Sequence, residues 1–271
     1  GAAFPRVVIV TGGGGAGCGR AIALRCARRG AAVVAADVDE AGGRETVARI
    51  AAAGGRAAFF RADVGEEEQV RAMIAFGERT FGGLDLLVQN ASGEFHPDEP
   101  LGYWNETLRI DLLGAMYGMK HAIAAMRRAG RASRGGAIVN VASISALWHG
   151  RRTNVGAPAY DAAKAGMIRL TTGLGWLAHE HGIRVNCLAP GWIATAGPRE
   201  HWESLTPEER RQRGVPARLL TTEEVAAAVE RLATDESLAG RVLLWWSDDA
   251  PRLIRWGDRG YEEAEELAVE V

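Results

Sequence analysis

Val7-Val8-Ile9-Val10-Thr11-Gly12-Gly13-Gly14-Gly15-Ala16-Gly17-Cys18-Gly19-Arg20 decides the fold of this chain. Four consecutive aliphatic residues read as a strand covered on both faces. A glycine-rich turn follows. Residues 20–29 then place Ala21, Ile22, Leu24 and Cys26 among the apolar positions of a helix. Between such a strand and helix, glycines allow a tight turn and let the backbone approach a pyrophosphate. The helix N-terminus offers it unpaired N–H groups. A lone glycine run is often only a flexible loop, but in this setting it is a dinucleotide fingerprint. Gly12, Gly13, Gly17, Cys18 and Gly19 are its candidate contacts.

The same alternation continues outward. Residues 32–36, 57–60, 84–88, 136–141, 184–188 and 241–246 read as further short apolar strands. Helical stretches separate them at 41–53, 66–81, 103–129, 159–181 and 225–233. The pattern predicts an α/β fold: a doubly wound parallel sheet (Rossmann fold) with helices on both faces. With no internal repeat and no linker, residues 1–271 are expected to form a single domain with its core at 5–246. Residues 192–221, long, polar and proline-containing, read as a mobile lid-like excursion. A C-terminal extension, 247–271, follows the last predicted strand and ends in a possible short helix over 261–271.

Composition narrows the function. The 271 residues are 47% hydrophobic and 24% charged, enough for a sizeable core. A net charge of -2 gives no electrostatic case for nucleic acid or an anionic membrane. No apolar run approaches the ~20 residues of a membrane span. The first residues lack a signal-peptide pattern, and Cys18, Cys26 and Cys187 show no disulfide or metal spacing. A cytoplasmic protein with reduced thiols and no metal is expected. Abundant Ala, Arg and Gly hint at a GC-rich bacterial genome.

Asp37 ends the second predicted strand, 18 residues after Gly19. A carboxylate there accepts hydrogen bonds from both ribose hydroxyls of an adenosine and repels a 2′-phosphate. Val38 and Ala16 offer no cation nearby, which favours NAD(H) over NADP(H). Asp37 could instead cap the next helix, although Asp39 serves equally well. Arg20 could be solvated, paired, or the one cation able to meet a phosphate. Further along, Tyr160-Asp161-Ala162-Ala163-Lys164 sets a phenol and an ammonium on one helix face. A cation beside a phenol favours the phenolate and lowers its pKa from about 10, which makes a general acid/base.

Together these residues resemble the short-chain dehydrogenase/reductase family over about residues 5–246. Thr11 to Gly19 is similar to the family's Thr-Gly-x-x-x-Gly-x-Gly. Asp63-Val64 sits where the family flanks the adenine, and Asn90-Ala91-Ser92-Gly93 resembles its Asn-Asn-Ala-Gly stretch near the cofactor. Ser143 follows the fifth strand in the place of the catalytic serine. Tyr160 and Lys164 match Tyr-x-x-x-Lys. Pro190-Gly191-Trp192-Ile193 with Thr195 resembles the segment at the nicotinamide end. The resemblance implies that Tyr160 exchanges a proton with the substrate oxygen and that Ser143 orients that oxygen. Lys164 would hold the nicotinamide ribose and tune Tyr160. A homo-oligomer, more often a tetramer than a dimer, is implied likewise.

Four departures stand out. The glycine turn carries one extra residue, within Gly12–Ala16. Asp111 occupies the family's fourth catalytic position, usually asparagine, where a carboxylate would favour the Lys164 ammonium and oppose the Tyr160 phenolate. Ser143 and Tyr160 stand 17 apart, several more than is usual, so the loop with Trp148 and His149 must lie beside the substrate. Ser247-Asp248-Asp249-Ala250 replaces the common Asp-Gly-Gly. Glu94, Trp148, His149 and Trp192 are candidate substrate contacts, and the aromatic content suggests a cyclic or extended alcohol or ketone. The tryptophans could equally pin loops. An oxidoreductase is expected. A non-redox enzyme on the same fold (dehydration, epimerisation or cyclisation) and a nucleotide sensor are the alternatives.

Overall fold

The computed structural model describes residues 4–93, 102–128, 135–147, 158–247, 249–255 and 257. Seven parallel strands carry the frame: β1 (Val7–Thr11), β2 (Ala32–Asp37), β3 (Arg56–Arg61), β4 (Leu86–Gln89), β5 (Gly136–Val141), β6 (Ile183–Pro190) and β7 (Val242–Trp245). Their order is β3-β2-β1-β4-β5-β6-β7, so the winding reverses between β1 and β4. Ligands of such sheets bind outside the strand C-termini at that reversal. An eighth strand, β8 (Arg252–Leu253), pairs antiparallel with β7. The parallel sheet expected from sequence stands, with one antiparallel strand added where the extension turns back onto the sheet edge, a hairpin-like return that needs no crossover helix.

The sheet is buried on both faces because helices cover each. α1 (Cys18–Arg28), α2 (Glu40–Ala52) and α10 (Thr222–Thr234) lie on one side, and α3 (Glu67–Phe81), α5 (Gly114–Arg128) and α6 (Pro158–Gly173) on the other. Alternate residues of β1 show the division. Val8 and Val10 join the core with α1 and α10, and Ile9 joins the core with α3 and α5. The side-chain period of two in a strand produces this split.

Three expected elements differ in detail. The helix read at 103–129 is α4 (Trp104–Thr107), a wide π-helical turn (Leu108–Leu113) and α5. The helix read at 159–181 is broken by a turn into α6 and α7 (Leu177–His181). The excursion 192–221 folds into α8 (Ala196–Ser204) and α9 (Pro207–Arg213). A capping box of Thr206 with Glu209 starts α9. Its base is closed where Ile193 pairs with Leu220, and Trp202 Nε1 donates to Pro216 O at 2.9 Å. The possible helix at 261–271 lies outside the described residues.

Candidate active site

The site grows from the ends of β1 and β4. Thr11 sits opposite Gln89 in the register, and its Oγ1 accepts from Asn90 N at 3.1 Å and Ala91 N at 3.2 Å. Asn90 Nδ2 donates back to Thr11 O at 3.2 Å. These bonds hold the Asn90 segment against the glycine turn. Gly12 has φ +67, a conformation that L side chains rarely adopt. A Cβ on Gly19 would lie 1.9 Å from Gly12 O, so the start of α1 packs directly on the turn. Beyond it opens a cleft of about 740 Å³, lined among others by Gly17, Cys18, Asp37, Asp63, Asn90 and Ser92. Ser143, Tyr160 and Lys164 are not among its lining residues.

The extra residue of the turn has a definite place. Gly14 N donates to Asp37 Oδ2 at 2.8 Å, drawing the bulge toward β2. Asp37 Oδ1 accepts from Asp39 N at 3.0 Å. An ionised carboxylate has about four acceptor sites, so capacity for ribose hydroxyls remains. Asp39, not Asp37, caps α2, accepting from Gly42 N at 3.1 Å. Arg20 is buried and turned inward. Its NH2 donates to Gly14 O at 2.8 Å and Glu45 Oε2 at 2.9 Å, and its Nε to Thr46 Oγ1 at 3.0 Å. Sequence reading left its partners open, and they lie in the turn and α2.

At the far side of the cleft, Asp63 Oδ1 accepts from Gly65 N at 2.8 Å and Oδ2 from Arg109 NH2 at 3.0 Å. Arg109 also bonds Glu106, and these carboxylates hold its guanidinium above the ordinary arginine range. Val64 lines the same cleft. Cys18 borders it too, but burial, with repulsion from Glu223, pushes its thiol up to about 12. It packs and does not react near neutral pH.

The catalytic candidates converge on α6. A buried polar chain aligns that helix: Gln89 Nε2 donates to Asn140 Oδ1 at 2.8 Å, and Asn140 Nδ2 to Thr171 Oγ1 at 2.9 Å. Lys164 Nζ donates to Val141 O at 3.3 Å, two residues before Ser143, and lies 5.3 Å from the Tyr160 ring centre. Ser143 Oγ accepts from Ser145 N at 3.2 Å, and the short turn after it packs on α6. The π-helical turn brings Asp111 Oδ1 to 2.9 Å from Lys164 Nζ, with side chains 1% and 3% exposed. Burial alone would lower the Lys164 pKa. The Asp111 charge, with help from Tyr160, the Asp111 hydrogen bond and Cys187, outweighs it and raises the value above the ordinary 10.5.

Asp111 has two more partners. Ser92 Oγ donates to Oδ1 at 2.6 Å and Gly93 N to Oδ2 at 3.0 Å. Sequence reading placed Ser92 within the Asn90 stretch but gave it no role. Its only signal was a hydroxyl where the resembled motif has Ala.

Pro190 ends β6, and Gly191 N donates to Trp245 O at 2.7 Å while the Trp246 ring covers Gly191. A Cβ on Gly17 would meet the Thr195 methyl at 3.5 Å, so this segment faces the glycine turn. The Trp192 ring lies tilted against His201 of α8, at 5.7 Å between ring centres. Trp202 instead pins the excursion to itself, its ring under Arg210. Glu94, Trp148 and His149 lie outside the described residues. Among the described residues no group of His, Cys, Asp and Glu is arranged to hold a metal, and no helix is long and apolar enough to cross a membrane.

The reversal point, the glycine cradle and the serine–tyrosine–lysine set define a class of dinucleotide-dependent α/β enzymes. The family described as enoyl-(acyl carrier protein) reductase, within the short-chain dehydrogenases/reductases, matches residues 13–241. The cis-4-hydroxycyclohexanecarboxylate dehydrogenase of Sinomonas cyclohexanicum is 40% identical, covering 94% of each chain. The cyclohexanol dehydrogenase of Acinetobacter sp. (strain SE19) is 34% identical over 86% of this chain and 89% of that one. The crystal structure of levodione reductase superposes with a TM-score of 0.74 at 30% identity, covering 90% of this chain and 96% of that one. The chain belongs to the short-chain dehydrogenase/reductase family and is an oxidoreductase using a nicotinamide cofactor.

Proposed function

We propose that the protein is an NAD(H)-dependent dehydrogenase/reductase acting between a secondary alcohol and its ketone, with a cyclic substrate. The observation that carries this reading is the buried Lys164 ammonium one helical turn from Tyr160, tied to the strand end that presents Ser143. Tyr160 gives a proton to, or takes one from, the substrate oxygen. Ser143 donates a hydrogen bond to the same oxygen and fixes its direction, an orienting role. Lys164 keeps one proton donor beyond those given to Asp111 and Val141, and that donor suits a ribose hydroxyl. The bound dinucleotide supplies the hydride acceptor or donor.

Preference for NAD(H) rests on charge. Asp37 stands at the cleft with both oxygens turned to backbone N–H groups, and Arg20 is committed to the interior. A 2′-phosphate would meet the Asp37 carboxylate, and Arg20 is not free to offset it. Gly12, Gly13, Gly17, Cys18 and Gly19 would cradle the pyrophosphate. Asp63, Val64, Asn90 and Ala91 would line the adenine and central parts. Pro190, Gly191, Ile193 and Thr195 would face the nicotinamide. Trp192, with its ring against His201, offers an aromatic wall for a ring substrate, consistent with relatives named for cyclohexane-type alcohols.

NADH absorbance with NAD and a panel of cyclic and acyclic secondary alcohols tests the reading, with NADP in parallel. Formation of NADH with cyclic alcohols is expected. Turnover without net cofactor change would replace it with the dehydration or epimerisation alternative. We also infer a homo-oligomer. Trp104 and Met116 leave 46% and 41% of their surface exposed in the single chain. Light scattering showing only monomer would overturn that.

A further inference from the structure

Asp111 is a buried carboxylate where the resembled family pattern has asparagine, and its oxygens are partnered. Oδ1 takes the Ser92 hydroxyl and the Lys164 ammonium, and Oδ2 takes Gly93 N–H. The groups facing the pair come from several elements: Tyr160 on α6 itself, Cys187 on β6, and the Val141 carbonyl on β5. Cys187 is buried with its thiol pushed up to about 12, so it brings no charge near neutral pH. Among the described residues the ammonium is balanced by one carboxylate, and one hydroxyl donates to that carboxylate. Ser92 itself lies at the cleft surface, on the segment that also holds Asn90.

We propose that Ser92 is a positioning residue that acts through Asp111. Its hydroxyl donates to the carboxylate that balances the Lys164 ammonium, and so weakens the negative field that this carboxylate casts on Tyr160. This rests on the dehydrogenase reading above. A carboxylate near a phenolate opposes it, and a hydroxyl dipole aimed at that carboxylate softens the opposition. Oxidation of the alcohol needs the phenolate, so the alkaline-active limb of the rate reports the arrangement.

Two measurements test it. The first is the pH dependence of kcat/KM for alcohol oxidation in wild type, Asp111→Asn, Ser92→Ala, Ser92→Thr and the Ser92→Ala/Asp111→Asn double variant. Asp111→Asn is expected to move the limb about 1 pH unit toward acid, and Ser92→Ala about 0.5 unit toward alkali. Ser92→Thr, which keeps the hydroxyl, restores the wild-type limb. Ser92→Ala has no effect once residue 111 is Asn. Limbs that coincide in all variants overturn the proposal. The second measurement needs no turnover: the thermal midpoint of the cofactor-free protein across the same cycle. Ser92→Ala is expected to lower Tm by about 2–4 °C with Asp111 present and by less with Asn. Equal losses in both backgrounds overturn the unit. A wild type that turns over no alcohol overturns the dehydrogenase reading, and the thermal cycle still decides whether Ser92 and Asp111 are coupled.

Discussion

At the β1–β3 end of the cleft, Asp37 is half-exposed, bonded to backbone N–H groups, and left with acceptor capacity. Toward the β4–β6 end of the sheet and behind the cleft lining, Asp111 and Lys164 are buried against each other and bonded by Ser92, Gly93 and Val141. The first end keeps its charge available to a ligand; the second keeps its charge inside the protein. Under the proposed function, the difference separates recognition from chemistry. An exposed carboxylate selects by modest hydrogen bonds that water also makes, while a buried pair sets the field in which a proton moves. The energies should differ accordingly.

The sharpest break of this contrast would be a dispensable dyad. Tyr160→Phe is expected to lower kcat/KM by about 10²–10⁴-fold while dinucleotide binding, read by fluorescence, stays unchanged. Near-normal turnover in that variant would remove the chemistry from the β4–β6 end. Next in size is Asp111→Ala, which leaves Lys164 buried and unpaired. It should cost about 3 kcal/mol of stability, roughly 6–12 °C in Tm. The pH course of that loss has a defined sign. The folded-state pKa of Lys164 is raised above 10.5, so the stabilisation is fully present below that value and fades as pH climbs through the raised one. Wild-type Tm should therefore show no loss from Lys164 between about pH 7 and 9, while in Asp111→Ala burial acts alone and lowers the Lys164 pKa, so the gap should narrow as pH rises toward 10.5. A gap that stays level up to pH 10.5 would mean the ammonium is not held by Asp111.

Effects at the other end should be smaller. Asp37→Ala is expected to weaken NAD binding about 10-fold and to narrow the preference over NADP. An unchanged ratio would show that selectivity lies elsewhere. Arg20→Lys sharpens the same point. It disturbs the contact with Gly14, Glu45 and Thr46, so NAD and NADP should weaken together with their ratio unmoved. A selective loss of NADP would assign Arg20 to the phosphate.

Local signals carried most of the fold. The strand–turn–helix opening, the alternation of short apolar strands with helices, and Tyr160 with Lys164 are contiguous stretches whose spacing states their geometry. Asp39 as the cap of α2 was equally local. The partners of Arg20 were not legible, because they reside in a different helix and in the bulge of the turn. The π-helical turn that directs Asp111 inward has no composition of its own, and β8 is too short to show a period. α9 was legible in principle, since Thr206-Pro207-Glu208-Glu209 is a capping box with proline at the first position. The polar content of residues 192–221 hid it. Ser92 became visible only when the fold set its hydroxyl on a residue 19 positions away.

The pairing of Ile193 with Leu220 has a consequence for how such a chain changes over time. Leu220 N donates to Trp192 O and Ala194 N to Leu220 O, both at 2.8 Å, so the excursion leaves and rejoins the body at one knot. Lengthening a segment whose ends are already tied costs little chain entropy. α8 and α9 form an exchangeable cap: under the proposed function, selection can redraw what faces a substrate while β6, Gly191 and the dyad stay where they are.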